Sequence, residues 1–259
     1  MITDKILAGR TGHPLLAQLK QYRFAHRGYH DKPVIPENSL PAFRRAIERG
    51  WGAELDVHLL KDGTLAVFHD SDLKRCTGAE GILEDLTFEE MKALRLEGTE
   101  EQIPAFDEVL ELFEGKAPLI IELKTYKGNH RALSEAVCRR LDRFCSLFCI
   151  ESFDPRAVAD VKQLRPAIVR GQLVSDFLKD PEDLPFYQRV VLTNLLLDVK
   201  ARPDFIACKF EDRGTPAIRR TIDKLGVQEV CWTIRSKEDL AVCEAAGAIP
   251  IFEKFDPEN

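Results

Sequence analysis

Two carboxylates, Glu54 and Asp56, are two positions apart within the apolar segment Ala53–His58. Residues two apart in a β-strand point to the same face, so these negative charges repel each other unless a cation lies between them. Carboxylate oxygens bind hard divalent cations, and Glu122 in a neighbouring strand would complete the set. The spacing predicts a Mg²⁺ or Ca²⁺ site; the alternative is that both carboxylates lie on a solvated face, paired with Lys or Arg.

Histidines concentrate in the same part of the chain. Of the 6 histidines, His26, His30, His58 and His69 all fall between positions 26 and 69. His26 and His69, beside a cation and the planar guanidinium of Arg27, suit general acid and base catalysis around a phosphate. His58 continues the face of the two carboxylates and can be a metal ligand, a support for the ligands or a polar group that fills the interior.

Lys124 follows Glu122 at the same spacing of two. One side chain would face the cation and the other an anionic oxygen of the substrate. This set suits phosphoryl chemistry on a small ester. The chain has no Gly-x-Ser-x-Gly, Walker or His-Glu-x-x-His motif, which excludes the enzyme classes that depend on them.

Apolar segments of strand character alternate with segments of helical period along the chain. Eight such strands in a chain of 259 residues predict a (β/α)8 TIM barrel, a fold of roughly 250 residues, rather than an open doubly wound sheet. No Gly-x-Gly-x-x-Gly follows the first strand, which also argues against the open sheet. The predicted strands are Arg23–His26, Ala53–His58, Pro118–Leu123, Leu147–Glu151, Ile168–Leu173, Phe205–Cys208, Glu229–Thr233 and Ile249–Phe252.

The predicted helices begin at several N-cap and proline signals, with Ser39, Asp154 and Thr215 as the capping residues. They are Pro14–Gln21, Leu40–Arg49, Asp107–Phe113, His130–Phe144, Pro155–Leu164, Pro185–Val199, Pro216–Leu225 and Lys237–Ala246. The interval after the second strand is too long for a simple connection. It contains a hairpin signal at Asp62-Gly63 and a helix capped by Thr87. We therefore expect one domain, residues 1–259, with a small insertion at about 71–103.

Composition narrows the setting in which the protein works. The net charge of -6 and a pI of about 5.6 argue against a nucleic-acid partner. No apolar run reaches the ~20 residues that a transmembrane helix needs, and Met1–Lys20 lacks the pattern of a secretory signal. The 7 cysteines contain no Cys-x-x-Cys pair, which favours reduced thiols and a cytoplasmic protein. A monomer and a homodimer are equally compatible with the sequence.

The ordered series of motifs resembles the glycerophosphodiester phosphodiesterase family over residues 22 to 233. The main matches are His26-Arg27-Gly28, Pro36-Glu37-Asn38-Ser39, Glu54-Leu55-Asp56-Val57, Lys61-Asp62-Gly63, His69-Asp70, Glu122-Leu123-Lys124, Arg75-Cys76-Thr77-Gly78, Ser152-Phe153-Asp154 and Trp232-Thr233. The resemblance implies a barrel with an insertion after the second strand. It also implies hydrolysis of small-molecule glycerophosphodiesters to glycerol 3-phosphate and an alcohol, with a divalent cation.

Carried over to this sequence, the resemblance implies roles for nine residues. They are the metal ligands Glu54, Asp56 and Glu122, the acid and base His26 and His69, the phosphate-binding Arg27 and Lys124, and the aromatic walls Phe153 and Trp232, which are equally typical of a core. In the family's favoured mechanism, the neighbouring glycerol hydroxyl attacks phosphorus and water opens a cyclic phosphate. The sequence does not say which histidine is the base.

The chain departs from the family pattern near the eighth strand. The usual Gly-x-Asp-Gly-Ile-Ile-Thr-Asp-x-Pro stretch is replaced by the segment 247–254, and Arg235 stands where Asn is usual. Arg235 and Lys209 add positive charge, so we expect polar or anionic head groups to be preferred over choline. Two alternatives stay open: a lysophospholipase D or phospholipase C acting on lipids, and a barrel that binds a phosphorylated metabolite without turnover.

Overall fold

Eight parallel strands close into a barrel in the computed structural model, which describes residues 12–179 and 185–258. A ninth strand, β3, is antiparallel to β2. The strands are β1 (Phe24–Ala25), β2 (Gly52–Leu59), β3 (Leu65–Val67), β4 (Leu119–Leu123), β5 (Phe148–Ser152), β6 (Arg170–Val174), β7 (Phe205–Lys209), β8 (Gln228–Ile234) and β9 (Ile249–Phe252). All eight predicted strands are present, with ends shifted by no more than two residues.

Eleven α-helices lie in the described ranges. They are α1 (Pro14–Leu19), α2 (Leu40–Glu48), α3 (Lys74–Thr77), α4 (Phe88–Lys92), α5 (Phe106–Phe113), α6 (His130–Leu141), α7 (Pro155–Leu164), α8 (Phe186–Thr193), α9 (Asp198–Ala201), α10 (Pro216–Arg219) and α11 (Lys237–Ala245). Short 3₁₀ turns cover Leu83–Asp85 and Phe210–Asp212, and a π-helical turn covers Arg220–Lys224.

The barrel closes because β1 pairs in parallel with both β2 and β9. Helices connect the consecutive parallel strands, as the right-handed crossover requires. The predicted (β/α)8 TIM barrel is confirmed. The small insertion after the second strand is confirmed as well: β3, α3, α4 and the Leu83–Asp85 turn lie between β2 and α5, over an apolar cluster of their own.

Two apolar layers hold the barrel. Inside it, Phe24, Ile120 and Phe205 belong to one buried cluster, and Leu16 and Leu19 of α1 pack against that cluster. A larger cluster fills the space between the strands and the surrounding helices. Burial of apolar surface in two concentric layers is what stabilises this fold, and it leaves the carboxyl ends of the strands for polar residues.

The helix signals were right at most positions and wrong at two. Ser39 and Asp154 accept hydrogen bonds from the first turns of α2 and α7, as predicted, and Thr87 forms a capping box. Thr215 makes no such side-chain bond. The single helix predicted at Pro185–Val199 is two helices, because Leu195 has φ 56°, a left-handed conformation that ends α8 without any Gly or Pro to signal it.

All seven cysteines lie in the described ranges and are free thiols, as predicted. Six of them are buried and Cys145 is exposed. None of the described helices is long and apolar enough to cross a membrane. The first eleven residues, part of the stretch in which a secretory signal was sought, lie outside the described ranges.

The buried carboxyl of Asp198 makes stability depend on pH. Burial raises the pKa of Asp198 to about 8, whereas an unfolded Asp has a pKa of about 3.9. The folded state thus binds a proton that the unfolded state has lost, and the free energy of unfolding falls as pH rises from about 4 to about 8. We expect Asp198→Asn to raise Tm by at least about 4 °C at pH 8.5 and by less at pH 5.

Thermal unfolding at both pH values checks this, with the exposed helix residue Glu111 changed to Gln as the control. Equal Tm changes at pH 5 and pH 8.5 would contradict the titration of Asp198.

Candidate active site

The candidate active site lies where β2, β4 and β5 end. In the sheet register Asp56 is paired with Glu122, and Glu122 with Glu151, so three carboxyls form a row across neighbouring strands. Glu54 lies two residues before Asp56 on β2 and faces the same side. The period-two spacing therefore brings together the carboxylates that the sequence predicted.

Glu54, Asp56 and Glu122 form a compact buried cluster. Each offers a carboxylate oxygen, and these three oxygens lie within 4.8 Å of one another. Glu54 is 2% exposed and Asp56 is 1% exposed, so the alternative of a solvated face is wrong, although Asp56 is ion-paired as that alternative expected. Such a set of buried oxygens is the donor type that Mg²⁺ and Ca²⁺ prefer.

Two cations border the cluster. The Lys124 ammonium lies 3.0 Å from Asp56 Oδ1 and 2.8 Å from Glu122 Oε1. The guanidinium of Arg27 lies 3.7 Å from Asp56 Oδ2, and the Arg27 backbone N–H donates to Glu54 Oε2 at 3.0 Å. Both predicted phosphate-binding residues therefore adjoin the predicted metal ligands.

The charges of the cluster are not balanced by these cations alone. Burial, followed by the charges of Asp56 and Glu122, raises the pKa of Glu54 well above its usual range. Burial also raises the pKa of Glu122 to about 7. Burial alone would raise the pKa of Asp56, but Lys124 leads the neighbouring cations that lower it. Glu54 thus has less neighbouring positive charge than Asp56, and the set of three carboxylates fits a divalent cation.

A tight loop carries Arg27 into the site. Arg27 and Gly28 have φ of 54° and 77°, so two successive residues are left-handed. A Cβ on Gly28 would lie 2.9 Å from the Cβ of Ala42, so the loop can pack on α2 only with glycine there. Asn38 has a φ of 52° and lies next to Arg27, whose carbonyl accepts from the Asn38 backbone N–H. Its side chain donates Nδ2–H to Asp56 Oδ2 at 2.8 Å.

His26 directly follows β1 and lies beside the cluster. Its Nε2 is 3.9 Å from Glu54 Oε2, and its Nδ1 is hydrogen-bonded to Glu253 Oε2 at 2.8 Å. Glu253 Oε1 in turn accepts from Arg235 Nε at 2.8 Å. Burial lowers the pKa of His26 to about 4, against the opposing effect of Glu253. The ring is therefore neutral at pH 7, with Nε2 on the side of the carboxylates.

His69 is held in the same manner. Its Nδ1 is hydrogen-bonded to Asp70 Oδ1, and Asp70 Oδ2 accepts from Arg75 Nε. Arg75 also donates to Glu37, which Arg27 contacts as well. Burial is the first cause that lowers the pKa of His69. Each predicted catalytic histidine is thus backed by a carboxylate that an arginine holds in place.

His58, whose role the sequence left open, supports the loop of His69. Its Nδ1 is hydrogen-bonded to Glu84 at 2.7 Å and its Nε2 to the His69 carbonyl at 3.1 Å. With both ring nitrogens occupied, His58 has no lone pair to offer a metal in this arrangement.

Sequence reasoning missed two acidic residues of this region. Glu151 is 1% exposed, its Oε2 has no hydrogen-bond partner, and burial raises its pKa well above the usual range. The sequence feature that could have revealed Glu151 is a lone charged residue within the apolar strand β5, where it shares a face with the buried Cys149. Glu253 follows β9 and is 9% exposed. Nothing in the local sequence indicated its contact with His26, which lies 227 positions away.

An open cleft of about 980 Å³ extends from the carboxylates toward α8. His69, Glu122 and Lys124 line its polar end, and Phe153 and Trp232 are among the apolar residues of its wall. The rings of Phe153 and Trp232 pack edge to face at 5.7 Å. The two predicted aromatic walls are therefore in contact with each other and with the cleft.

The expected effect of Arg235 and Lys209 on the alcohol side has no support in this geometry. Arg235 is bonded to Glu253 behind His26, and neither Arg235 nor Lys209 is among the residues that line the cleft in the described part of the chain. The sequence could not show this, because the partner of Arg235 lies on another strand.

Comparisons with known proteins agree with the geometry. The glycerophosphoryl diester phosphodiesterase family profile matches residues 26–255. A glycerophosphodiester phosphodiesterase of Caldanaerobacter subterraneus subsp. tengcongensis is 33% identical over 266 residues, covering 93% of this chain and 96% of that protein.

Solved structures share the fold. A phosphodiesterase of Oleispira antarctica, determined in complex with sn-glycerol-3-phosphate, has a TM-score of 0.75 at 24% identity and covers 94% of this chain and 95% of its own. A glycerophosphodiester phosphodiesterase of Thermotoga maritima has a TM-score of 0.67 at 26% identity, covering 89% and 92%. The resemblance noted in the sequence is confirmed, and the chain belongs to the glycerophosphoryl diester phosphodiesterase family, a family of hydrolases.

Proposed function

We propose that this enzyme is a metal-dependent glycerophosphodiester phosphodiesterase that releases glycerol 3-phosphate and an alcohol through a cyclic phosphate. The observation that supports it is the cluster of Glu54, Asp56 and Glu122, flanked by two histidines whose Nδ1 atoms are each bonded to a carboxylate. Both imidazoles then have Nε2 available for the substrate.

Glu54, Asp56 and Glu122 would hold the divalent cation, Mg²⁺ or Ca²⁺. When bound, such an ion offsets the negative charge that develops on the phosphoryl oxygens. Lys124, which lines the cleft, and Arg27 would bind the same oxygens from the sides. Both cations already lie beside Asp56, which orients their charges toward the cluster.

We assign His26 as the base and His69 as the acid of the first step. His69 lines the cleft that would take the alcohol, whereas His26 lies beside Glu54 and is not among the cleft-lining residues of the described ranges. The neighbouring glycerol hydroxyl would attack phosphorus and pass its proton to His26 Nε2. His69 would start this step as the imidazolium, with Nδ1–H bonded to Asp70. The bond between phosphorus and the alcohol oxygen would break, and the Nε2 proton of His69 would go to that oxygen.

The second step reverses these roles. His69 would take a proton from the water that attacks the cyclic phosphate, and His26 would return its proton to the glycerol oxygen that leaves phosphorus. The intramolecular nucleophile needs no separate binding site, which removes much of the entropic barrier. Phe153 and Trp232 would bound the alcohol group.

A second candidate activity is hydrolysis of lysophospholipids. The apolar wall of the cleft supports it, since Phe177, Val191 and Leu192 line the space beyond Phe153. At the adjoining surface, Phe186 is 67% exposed and Tyr187 is 66% exposed. The sequence offered no exposed aromatic stripe near the N-terminus, but this patch on α8 can contact an acyl chain.

Release of glycerol 3-phosphate from a panel of diesters, with and without chelator, tests the main proposal. We expect release from a deacylated diester that stops with chelator and returns with Mg²⁺ or Ca²⁺. Higher kcat/KM on a lysophospholipid than on its deacylated form would instead support the second candidate. Turnover that is unaffected by chelator would refute metal dependence.

A further inference from the structure

We propose that Glu253 and Arg235 are a positioning pair that fixes the tautomer and orientation of His26. This inference rests on the proposed role of His26 as base. The pair keeps the His26 ring in the tautomer that a base needs, with the proton on Nδ1 and the lone pair on Nε2.

The two oxygens of Glu253 have separate partners. Oε2 lies 2.8 Å from His26 Nδ1, and Oε1 accepts from Arg235 Nε at 2.8 Å. An ionised carboxylate can only accept hydrogen bonds, so His26 Nδ1 must be the donor and must carry the proton. The other nitrogen, Nε2, then has its lone pair toward the carboxylate cluster. The required tautomer follows from the charge state of Glu253.

Neighbouring groups reinforce this orientation of Glu253. The Lys254 ammonium lies 3.6 Å from Oε1, on the same side as Arg235. His30 Nε2 is 3.8 Å from Oε2, which is beyond hydrogen-bond range. Burial alone would raise the pKa of Glu253, but the bond from His26, followed by His30 and Arg235, holds it well below its usual range. Glu253 is therefore an acceptor throughout the neutral pH range.

The pair also accounts for both departures from the family pattern. Arg235 stands at the position where Asn is usual, and Glu253 lies in the altered segment 247–254. Arg235 and Glu253 are in direct contact, although they directly follow different strands, β8 and β9. They form one unit, in which the second carboxylate oxygen of Glu253, Oε2, is bonded to His26.

Glu253→Gln gives a sharp test, because an amide has one acceptor and one donor end. Arg235 has only donors, so it will take the amide oxygen. The amide N–H₂ then faces His26 Nδ1, which must accept, and the His26 proton moves to Nε2. We expect kcat to fall by about 10²-fold or more, since a wrong tautomer is costly, with KM changed by less than about threefold.

Removing the donors that orient the amide of the Glu253→Gln variant should restore the His26 tautomer and part of kcat. In the triple variant Arg235→Met/Lys254→Met/Glu253→Gln, the amide can rotate and accept from Nδ1 again. We expect the triple variant to recover at least about tenfold in kcat over Glu253→Gln alone. Glu244→Gln is the matched control, because Glu244 accepts from Arg23 at 2.8 Å without any histidine nearby in the described contacts.

¹⁵N NMR of the histidine rings, in the full-length protein loaded with Mg²⁺, reads the tautomer without turnover. We expect a protonated Nδ1 for His26 in the wild type and in Glu244→Gln, and a protonated Nε2 in Glu253→Gln. An unchanged tautomer in Glu253→Gln, or no recovery in the triple variant, overturns the proposal. Wild-type protein that releases no glycerol 3-phosphate would instead contradict the proposed function, while the NMR result would still decide the tautomer.

Discussion

Glu54→Gln should lower kcat/KM for glycerophosphodiesters by about 10³-fold or more. The amide keeps the volume of Glu54 but removes one of three charges from the buried cluster. The amide oxygen can still accept from the Arg27 backbone N–H, so the fold is expected to persist. The measurement is steady-state release of glycerol 3-phosphate at saturating Mg²⁺ or Ca²⁺.

A thermal readout separates metal binding from catalysis. A cation that binds only the folded protein raises Tm, and we expect this increase in the wild type and its loss in Glu54→Gln. Without metal the variant should be more stable than the wild type, because it relieves the repulsion that raises the pKa of Glu54. An unchanged Tm response to Mg²⁺ and Ca²⁺ would show that Glu54 is no ligand.

Glu151→Gln is the matched control for this experiment. Glu151 is paired with Glu122 in the register and is as buried as Glu54, but it is not part of the three-carboxylate cluster. Burial, followed by the charge of Glu122, raises its pKa well above the usual range, which favours the protonated form. An amide resembles a protonated carboxyl in shape and charge. We expect less than about a fivefold loss of activity, and a loss as large as that of Glu54→Gln would place Glu151 among the ligands.

Local periodicity is the reason that the carboxylate cluster could be predicted. In a strand the side-chain period is two, so the order Glu54, Asp56 already places both oxygens on one face. The barrel adds Glu122 because adjacent parallel strands end together. Eight alternating apolar segments in 259 residues favoured the closed barrel over an open doubly wound sheet.

Contacts between distant segments are what the sequence could not supply. Glu253 contacts His26 only because closure of the barrel places β9 next to β1. The break after α8 depends on Leu195 in a left-handed conformation, which no local residue type signals. The pairing of Arg235 with Glu253 removed the support for an expectation about substrate charge for the same reason. Each of these features is fixed by packing and not by composition.

His69→Gln and His26→Gln should respond differently to the leaving group. If His69 protonates the departing alcohol, its loss matters when that alcohol is a poor leaving group such as choline or ethanolamine. We expect about a 10³-fold loss on such diesters and less than about a tenfold loss on a p-nitrophenyl diester, whose leaving group needs no proton. His26→Gln removes the base for the glycerol hydroxyl and should lower both rates by a similar factor.

The geometry that leads to this expectation is the location of His69 in the cleft and of His26 outside it. The measurement is kcat/KM for both substrates with each variant, and His130→Gln serves as control because His130 pairs with Asp160 on the outer helices. Leaving-group dependence in His26→Gln alone would exchange the two roles. Equal losses on both substrates for both variants would mean that neither histidine protonates the leaving alcohol. The cleft beside His69 would then have to bind the glycerol side of the substrate and not the alcohol side.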